Sequence, residues 1–328
     1  MPAGRTGLLD NIRYSNGPDG LREYFGKMLQ NNRLKAIELI NDSDIQFSTI
    51  YLLREEISGS IEPEALNPLY YKALKTAEKL QAKNPKAVEK ELRTADDDTR
   101  SVLKWIIKTG NPERCSDHDY LKLLENAAAL LVKSFRDTSV LPEIADMIFS
   151  ANRDGKAVHD LVWAFFEASR PESLYIIAGY LNSPHSRDVE LAKKLLCFIP
   201  DIENASDVSG PALYNRVILW LQENLPYLYY TGESMYLCNS PRYYEVSYTA
   251  KYLLRPVSAE NGEPLSPLNG LEKQLASSFD MLTEPLRRQL SDFSQMLYKR
   301  NPLQWSTWIR LPLNEQARMA AYITGGLV

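Results

Sequence analysis

Apolar residues recur at helical spacing along most of the chain, and one arrangement of them occurs twice within residues 141–199. Residues 144–151 align with residues 174–181, and residues 158–168 align with residues 189–199. The matched positions are apolar and lie three or four residues apart, as on one face of a helix. They are Ile144, Met147, Ile148 and Ala151 with Leu174, Ile177, Ala178 and Leu181, then Val158, Leu161, Ala164, Phe165 and Ala168 with Val189, Ala192, Leu195, Leu196 and Ile199. The pattern predicts two similar helical hairpins, each of which buries its apolar face by stacking against neighbours.

The rest of the chain also reads as a series of helices, with capping residues, prolines and glycines between apolar stripes. No segment shows strand alternation, so we predict an all-α fold in which residues 1–254 form an α-solenoid of antiparallel helical hairpins. Residues 1–19 hold three glycines and two prolines and are expected to be a loose lead-in. Residues 255–270 hold three prolines and two glycines and are predicted to be a linker or loop.

Residues 271–328 are predicted to form C-terminal helices that pack on the end of the solenoid. Their apolar positions follow heptad spacing and are Leu275, Phe279, Leu282, Leu286, Leu290, Phe293 and Leu297. Pro285 interrupts this run and is expected to start a second helix, because proline cannot donate a hydrogen bond within a helix. We call these heptad-spaced apolar positions the apolar seam. Self-association of two chains through residues 275–297 is the alternative to packing of this seam on the solenoid.

The second hairpin resembles a known repeat family in several residues. After the turn Ser183-Pro184-His185-Ser186, its second helix begins Arg187-Asp188-Val189 and continues with Ala192, Leu195 and Leu196. In these features residues 141–199 are similar to HEAT and HEAT-like repeats, although the units are shorter than the usual 40 residues or so. Gly155 also stands where the first turn of that family would have a proline. The resemblance implies a protein-binding scaffold whose partner is another protein.

Composition sets wider limits on function. Apolar residues make up 44% of the chain and charged residues 24%, as in an ordinary globular protein. The net charge of −4 disfavours general binding to nucleic acid. Cys115, Cys197 and Cys238 are widely spaced and predict reduced thiols. With no secretory signal and no membrane-spanning run, we expect a cytoplasmic protein that does not bind membranes.

Candidate metal ligands are few, because the chain has three histidines. The pair His159-Asp160, with His118 upstream, resembles the metal-binding residues of the all-α HD-type phosphohydrolases. However, an apolar helix follows the pair, and His159 takes the repeat position of Glu190, a surface position. We therefore predict no metal and no cofactor, and keep the metal-dependent phosphohydrolase on His118, His159 and Asp160 as an alternative function.

A second alternative is a helical-repeat protein that binds nucleic acid. Lysines line the helix faces between Lys72 and Arg93, as they do on the concave surface of solenoid DNA glycosylases. Glutamates alternate with these lysines, which is more typical of a solvated helix face.

Tyrosines supply the candidate binding surface. Eight of the nineteen fall between residues 227 and 252, and Tyr244, Tyr248 and Tyr252 have the spacing of one helix face. A tyrosine ring presents apolar surface together with a hydroxyl, which suits a protein interface. The predicted partner-binding residues are Tyr229, Tyr230, Tyr236, Arg242, Tyr243, Tyr244, Tyr248, Tyr252 and Arg255. A packing seam between the solenoid and the C-terminal helices is the alternative interpretation of the tyrosines.

Overall fold

A computed structural model describes residues 7–81, 97–111, 118–203 and 210–325. These residues are mostly helical, which confirms the all-α prediction at the level of fold class. The prediction for Cys115 and the part of the lysine face from residue 82 to Arg93 lie outside the described residues. In the described part of the chain, no helix combines the length and the apolar composition that crossing a bilayer requires.

The helices and strands of the described residues are α1 (Leu8–Asn31), α2 (Arg33–Ile40), α3 (Phe47–Leu52), α4 (Arg54–Ser60), α5 (Pro68–Leu80), α6 (Asp97–Thr109), α7 (His118–Ala129), α8 (Leu141–Arg153), α9 (His159–Phe166), α10 (Leu174–Gly179), α11 (Ser186–Leu195), α12 (Pro200–Glu203), α13 (Pro211–Asn224), β1 (Leu228–Tyr230), β2 (Tyr244–Val246), α14 (Tyr248–Tyr252), α15 (Gly270–Asp280), α16 (Glu284–Arg300), α17 (Pro302–Trp308) and α18 (Leu313–Gly325). The chain divides into two compact units, residues 1–168 and residues 169–328. Residues 255–270, the predicted linker, lie within the second unit.

The first unit begins with a long helix where the sequence predicted a loose lead-in. Helix α1 starts at Leu8 and bends at Gly17, whose φ of 75° lies in the region that glycine adopts most readily. Leu9, Asp10 and Arg13 are buried. The expectation of a loose segment is therefore wrong for residues 8–19, because their glycine and proline mark a bend within a helix.

Helix α3 lies in the core of the first unit, and its six residues are all buried. The first amide groups of a buried helix need acceptors from elsewhere. Asp10 Oδ2 accepts the Gln46 amide at 3.1 Å, and Thr109 Oγ1 accepts the Phe47 amide at 3.1 Å. Side chains of α1 and α6 therefore cap α3, and they make the N-terminal segment part of the folded core.

The two predicted hairpins form as helical pairs, one in each unit. Helices α8 and α9 make the first pair, and α10 and α11 make the second. The turn between α8 and α9 is closed by Gly155 at a φ of 72°, with the Lys156 amide donating to the Ala151 carbonyl at 2.9 Å. All of the matched apolar positions are buried except Ala168 and Val189, which are partly exposed.

The second unit contains a small antiparallel sheet that the sequence did not predict. β1 pairs with β2 so that Leu228 faces Val246 and Tyr230 faces Tyr244. The prediction of no strands is wrong here, because strands of three residues are too short for an alternating pattern to be read. As a further consequence, Tyr244 lies in a strand and does not share a helix face with Tyr248 and Tyr252.

The predicted linker, residues 255–270, packs on this sheet. The Tyr230 amide donates to the Ala259 carbonyl at 2.8 Å, and the Val257 amide donates to the Pro226 carbonyl at 2.9 Å. Gly262 has a φ of 74°, and a Cβ atom there would meet the Tyr229 ring at 2.9 Å. The segment is thus an ordered loop of the second unit.

The C-terminal helices complete the core of the second unit. Pro285 lies in the first turn of α16, which confirms that it starts a second helix. Phe279, Leu290, Phe293 and Leu297 are buried in one cluster with residues of α14 and α17. The predicted seam is therefore occupied within the chain, and these side chains are not available for self-association through residues 275–297.

Candidate binding surface

Two clefts in the second unit flank a ridge formed by Val246, Ser247 and Tyr248, where β2 leads into α14. Both clefts are lined by Trp220, Val246 and Tyr248. The first, which we call the polar cleft, has a volume of about 460 Å³. The second, which we call the basic cleft, has a volume of about 430 Å³. The ridge thus presents partly exposed side chains to two neighbouring cavities.

The polar cleft lies between the sheet, the 255–270 loop and the start of α16. Its charged and hydroxyl-bearing lining residues include Tyr229, Arg242, Glu245, Glu284 and Arg287. The Tyr229 hydroxyl donates to Glu245 Oε2 at 2.8 Å. Burial, together with the negative charge of Glu245, raises the pKa of Tyr229 to about 12. At neutral pH Tyr229 is therefore a neutral donor that already has an acceptor.

The basic cleft lies between α13, α14 and α16. Its charged lining residues are Glu223, Arg288, Asp292, Lys299 and Arg300. Both carboxylates have cationic partners: Asp292 Oδ1 lies 2.5 Å from Lys251 Nζ, and Glu223 Oε1 lies 3.6 Å from Lys299 Nζ. No ion pair of Arg288 or Arg300 is found among the described residues. The balance of this cleft is therefore cationic.

A buried lysine fixes the helix that carries the ridge. Lys251, in α14, is 2% exposed and donates to Asn224 Oδ1 at 2.7 Å and to Asp292 Oδ1 at 2.5 Å. Asn224 is the last residue of α13, and its Nδ2 donates to the Trp220 carbonyl at 2.8 Å. One ammonium group thus connects α13, α14 and α16, and it links the helix that carries Trp220 to the helix that begins with Tyr248.

The predicted tyrosines divide into buried and accessible groups. Tyr243, Tyr244 and Tyr252 are at most 1% exposed and belong to the core, and Tyr252 packs against the C-terminal helices. Burial raises the pKa of Tyr252 to about 12, and its hydroxyl donates to Gln316 Oε1 at 2.8 Å. These three side chains have no surface to offer a partner. A buried tyrosine at a strand or helix junction cannot be told from an exposed one by residue type alone.

The accessible predicted residues are Tyr229, Tyr230, Tyr236, Arg242 and Tyr248, and they are not all on the clefts. Tyr229, Arg242 and Tyr248 line the polar cleft, and Tyr248 also lines the basic cleft. Tyr236 is 59% exposed in the loop between β1 and β2. Burial raises the pKa of Tyr248, and the charge of Asp292 adds to this effect while Arg288 opposes it.

Arg255, one of the predicted binding residues, is paired with a carboxylate of the same unit. Its Nε and Nη2 atoms donate to Glu272 Oε1 at 2.9 and 2.5 Å. Glu272 also caps α15, because its Oε2 accepts the Asn269 amide at 2.9 Å. The guanidinium of Arg255 therefore joins the 255–270 loop to the start of α15.

Sequence reasoning missed Trp220 and the arginines of α16. Trp220 is one of the apolar residues of α13, and nothing in its spacing separates it from core residues. Arg287, Arg288 and Arg300 lie on α16, for which the prediction used only the heptad-spaced apolar positions. The signal that was present is the excess of cations over carboxylates at the polar positions of α16, at 287, 288, 299 and 300.

Two of the three proposed metal ligands of the phosphohydrolase alternative, His159 and Asp160, have described side chains. Asp160 Oδ2 lies 2.6 Å from Lys122 Nζ, and His159 is exposed at the start of α9. His118 begins α7, but its side chain lies outside the described part of the structure. In the described ranges, no three His, Cys, Asp or Glu side chains are grouped closely enough to hold a metal ion.

Near Asp160, the carboxyl group of Glu125 has a raised pKa. Glu125 is 8% exposed, and its Oε2 lies 3.4 Å from Lys122 Nζ. Burial, followed by the negative charge of Asp160, raises the pKa of Glu125 to about 7, although Lys122 opposes both effects. The folded protein therefore binds a proton here at pH values where the unfolded chain does not.

We expect the free energy of unfolding to fall as the pH rises from about 4.5 to about 7, since the native state then loses a proton that the unfolded state has already released. Glu125→Gln should remove this slope and raise the free energy of unfolding at pH 8 by about 1–3 kcal/mol. Urea unfolding at several pH values measures both effects. The exposed Glu55→Gln is the matched control, and an unchanged slope in Glu125→Gln would contradict the assignment.

The lysine face of the nucleic-acid alternative is partly neutralised. Lys72 Nζ lies 2.6 Å from Asp98, and Lys75 Nζ lies 2.8 Å from Glu78. A larger groove of about 860 Å³ opens beside α4 and α5 and is lined by Lys75, Glu78 and Arg54. The Arg54 guanidinium there stacks over the Tyr51 ring at 4.1 Å. Lys75, Glu78 and Arg54 therefore all interact with other residues of the first unit.

Comparison of the chain with protein-family models, with curated proteins and with solved structures finds no match.

Proposed function

We propose that this chain is a non-catalytic interaction scaffold built from helical repeats, and that it binds a protein partner through the polar and basic clefts. One observation carries the proposal: two cavities of similar size share a wall made of Trp220, Val246 and Tyr248. An extended peptide that crosses the ridge would place side chains in both cavities.

The chemistry of the ridge suits a polypeptide ligand. Trp220 and Tyr248 are partly exposed, and aromatic residues of this kind supply much of the binding energy at protein interfaces. The Lys251 network holds the ridge rigid before a partner arrives. A preformed surface loses little conformational entropy on binding, which favours affinity.

We also propose that the hairpins of residues 141–166 and 174–195 are two units of a HEAT-like solenoid. The buried positions common to both hairpins support this part of the proposal. An experimentally determined structure in which the two hairpins do not stack side by side would contradict it.

The metal-dependent phosphohydrolase and the nucleic-acid-binding protein have no observation in their favour. Asp160 is paired with Lys122, and the lysines at 72 and 75 are paired with carboxylates. We therefore do not adopt either alternative.

Selection from a library of random displayed peptides of about twelve residues tests the interaction surface. We expect peptides that bind the wild-type protein and lose affinity about tenfold or more in Tyr248→Ala, because a central aromatic side chain typically contributes about 2 kcal/mol at a hot spot. Tyr322→Ala is the matched control, since Tyr322 is 85% exposed in α18 and lines neither cleft. Failure to select any peptide, or selection of peptides indifferent to Tyr248→Ala, would contradict the proposal.

A further inference from the structure

The basic cleft concentrates positive charge on a chain whose net charge is −4. Asp292 and Glu223, the carboxylates of this cleft, are held by lysines at 2.5 and 3.6 Å. Arg288 and Arg300 are exposed and have no ion pair within the described ranges. Two guanidinium groups are therefore free to meet an anion from outside the chain.

The polar cleft contributes a third guanidinium. Arg287 lines this cleft, and its Nε atom is buried without a hydrogen-bond partner in the described part of the chain. A ligand carboxylate that pairs with the guanidinium of Arg287 would form a charge-assisted hydrogen bond.

Helix geometry gives each cleft one of the two consecutive arginines. Neighbouring positions on an α-helix point about 100° apart, since 3.6 residues make a turn. Arg287 accordingly lines the polar cleft, whereas Arg288 lines the basic cleft on the other side of Tyr248. A ligand that crosses the ridge meets a guanidinium before and after the tyrosine ring.

We propose that the clefts recognise an acidic linear segment of the partner, with carboxylates that pair with Arg287 on one side of Tyr248 and with Arg288 and Arg300 on the other. This inference depends on the proposed function, because it names the chemistry of the segment that the same surface binds. An apolar residue between the carboxylates lies against Tyr248 and Trp220.

The distribution of negative charge on the chain favours a peptide over a nucleic acid. Glu245 and Glu284 also line the polar cleft, and they repel a continuous phosphate backbone. A peptide carries its carboxylates at separate positions, so neutral residues can lie beside these glutamates. Arginine forms bidentate pairs with carboxylates of this kind.

Synthetic peptides test the inference directly. The probe is a fluorescein-labelled peptide of sequence Gly-Glu-Glu-Leu-Tyr-Glu-Glu-Gly, and its comparison peptide has glutamine at each glutamate. We expect the acidic peptide alone to bind. We also expect Arg288→Glu/Arg300→Glu and Arg287→Gln each to weaken its binding about tenfold or more, as loss of a charge-assisted pair predicts. Arg310→Glu is the control, because Arg310 is exposed and lines neither cleft.

The outcomes separate this inference from the proposed function. Equal binding of the glutamine peptide, or equal binding of the acidic peptide to Arg288→Glu/Arg300→Glu, overturns the acidic-segment inference. Displayed peptides that are neutral yet sensitive to Tyr248→Ala overturn it as well, while the proposed function stands. A single-stranded oligonucleotide that outcompetes the acidic peptide at the same arginines also overturns it. Circular dichroism and thermal unfolding of each variant verify that the fold is intact, and Arg288→Gln replaces any charge-reversed variant that does not fold.

Discussion

Asp10→Ala is expected to lower the free energy of unfolding of the first unit by about 3–5 kcal/mol, the range seen when a buried charge loses its partner. Asp10 is fully buried, and its Oδ1 accepts the Thr49 hydroxyl at 2.5 Å while Oδ2 accepts the Gln46 amide at 3.1 Å. Removing the carboxylate takes away the acceptor of both hydrogen bonds and the negative charge that interacts with the buried Arg13. Chemical denaturation followed by circular dichroism measures the loss.

Asp10→Asn separates the hydrogen bonds from the charge, because an amide oxygen still accepts from Thr49 or Gln46. Burial raises the pKa of Asp10, so ionising it in the folded state opposes folding, and the asparagine variant should lose less than the alanine variant. The exposed Asp44→Ala is the control and should change the free energy of unfolding by less than about 0.5 kcal/mol. A loss below about 1 kcal/mol in Asp10→Ala would mean that the N-terminal segment does not belong to the core.

Asp292→Ala is expected to destabilise the second unit by about 2–3 kcal/mol, because it leaves the buried ammonium of Lys251 with Asn224 as its remaining hydrogen-bond acceptor. The effect is smaller than for a fully buried pair, since the Asp292 side chain is 53% exposed and water can approach the site. Lys251→Met should cost less than Asp292→Ala, because it removes the buried charge and retains most of the packing volume. Thermal and urea unfolding of both variants measure the difference.

The double variant Lys251→Met/Asp292→Ala sharpens this test. Once the buried ammonium is gone, removing Asp292 should cost little more, so the two effects should not add. Glu315→Ala, on the exposed first turn of α18, is the control. Additive losses in the double variant would contradict a direct coupling between the two groups.

The sequence predicted helices reliably where apolar residues formed a stripe and a proline or glycine marked the end. The pairs α8–α9 and α10–α11, and the start of α16 at Pro285, follow from such local signals. The errors fall where local signals are ambiguous. Gly17 and Pro18 mark a bend in a helix as readily as a loop, and the three-residue strands β1 and β2 depend on pairing between segments distant in sequence.

The candidate binding surface was predicted in part. The tyrosine-rich segment does border both clefts: Tyr229, Arg242 and Tyr248 line the polar cleft, and Tyr248 also lines the basic cleft. The buried positions of Tyr243, Tyr244 and Tyr252 could not be read from the sequence, because the same ring suits a core and an interface equally well. Trp220 and the arginines of α16 join the surface because α13, α14 and α16 converge on Lys251.

By itself, the sequence determined the all-α class, the helical hairpins and their buried faces, because helix periodicity and capping are local properties of the chain. The tertiary structure alone decided, for the residues it describes, which tyrosines reach the surface, which arginines of α16 have no ion pair and which carboxylates of the clefts are already paired. Those properties depend on contacts between residues far apart in sequence, such as Lys251 with Asn224 and Asp292, and no local pattern records them.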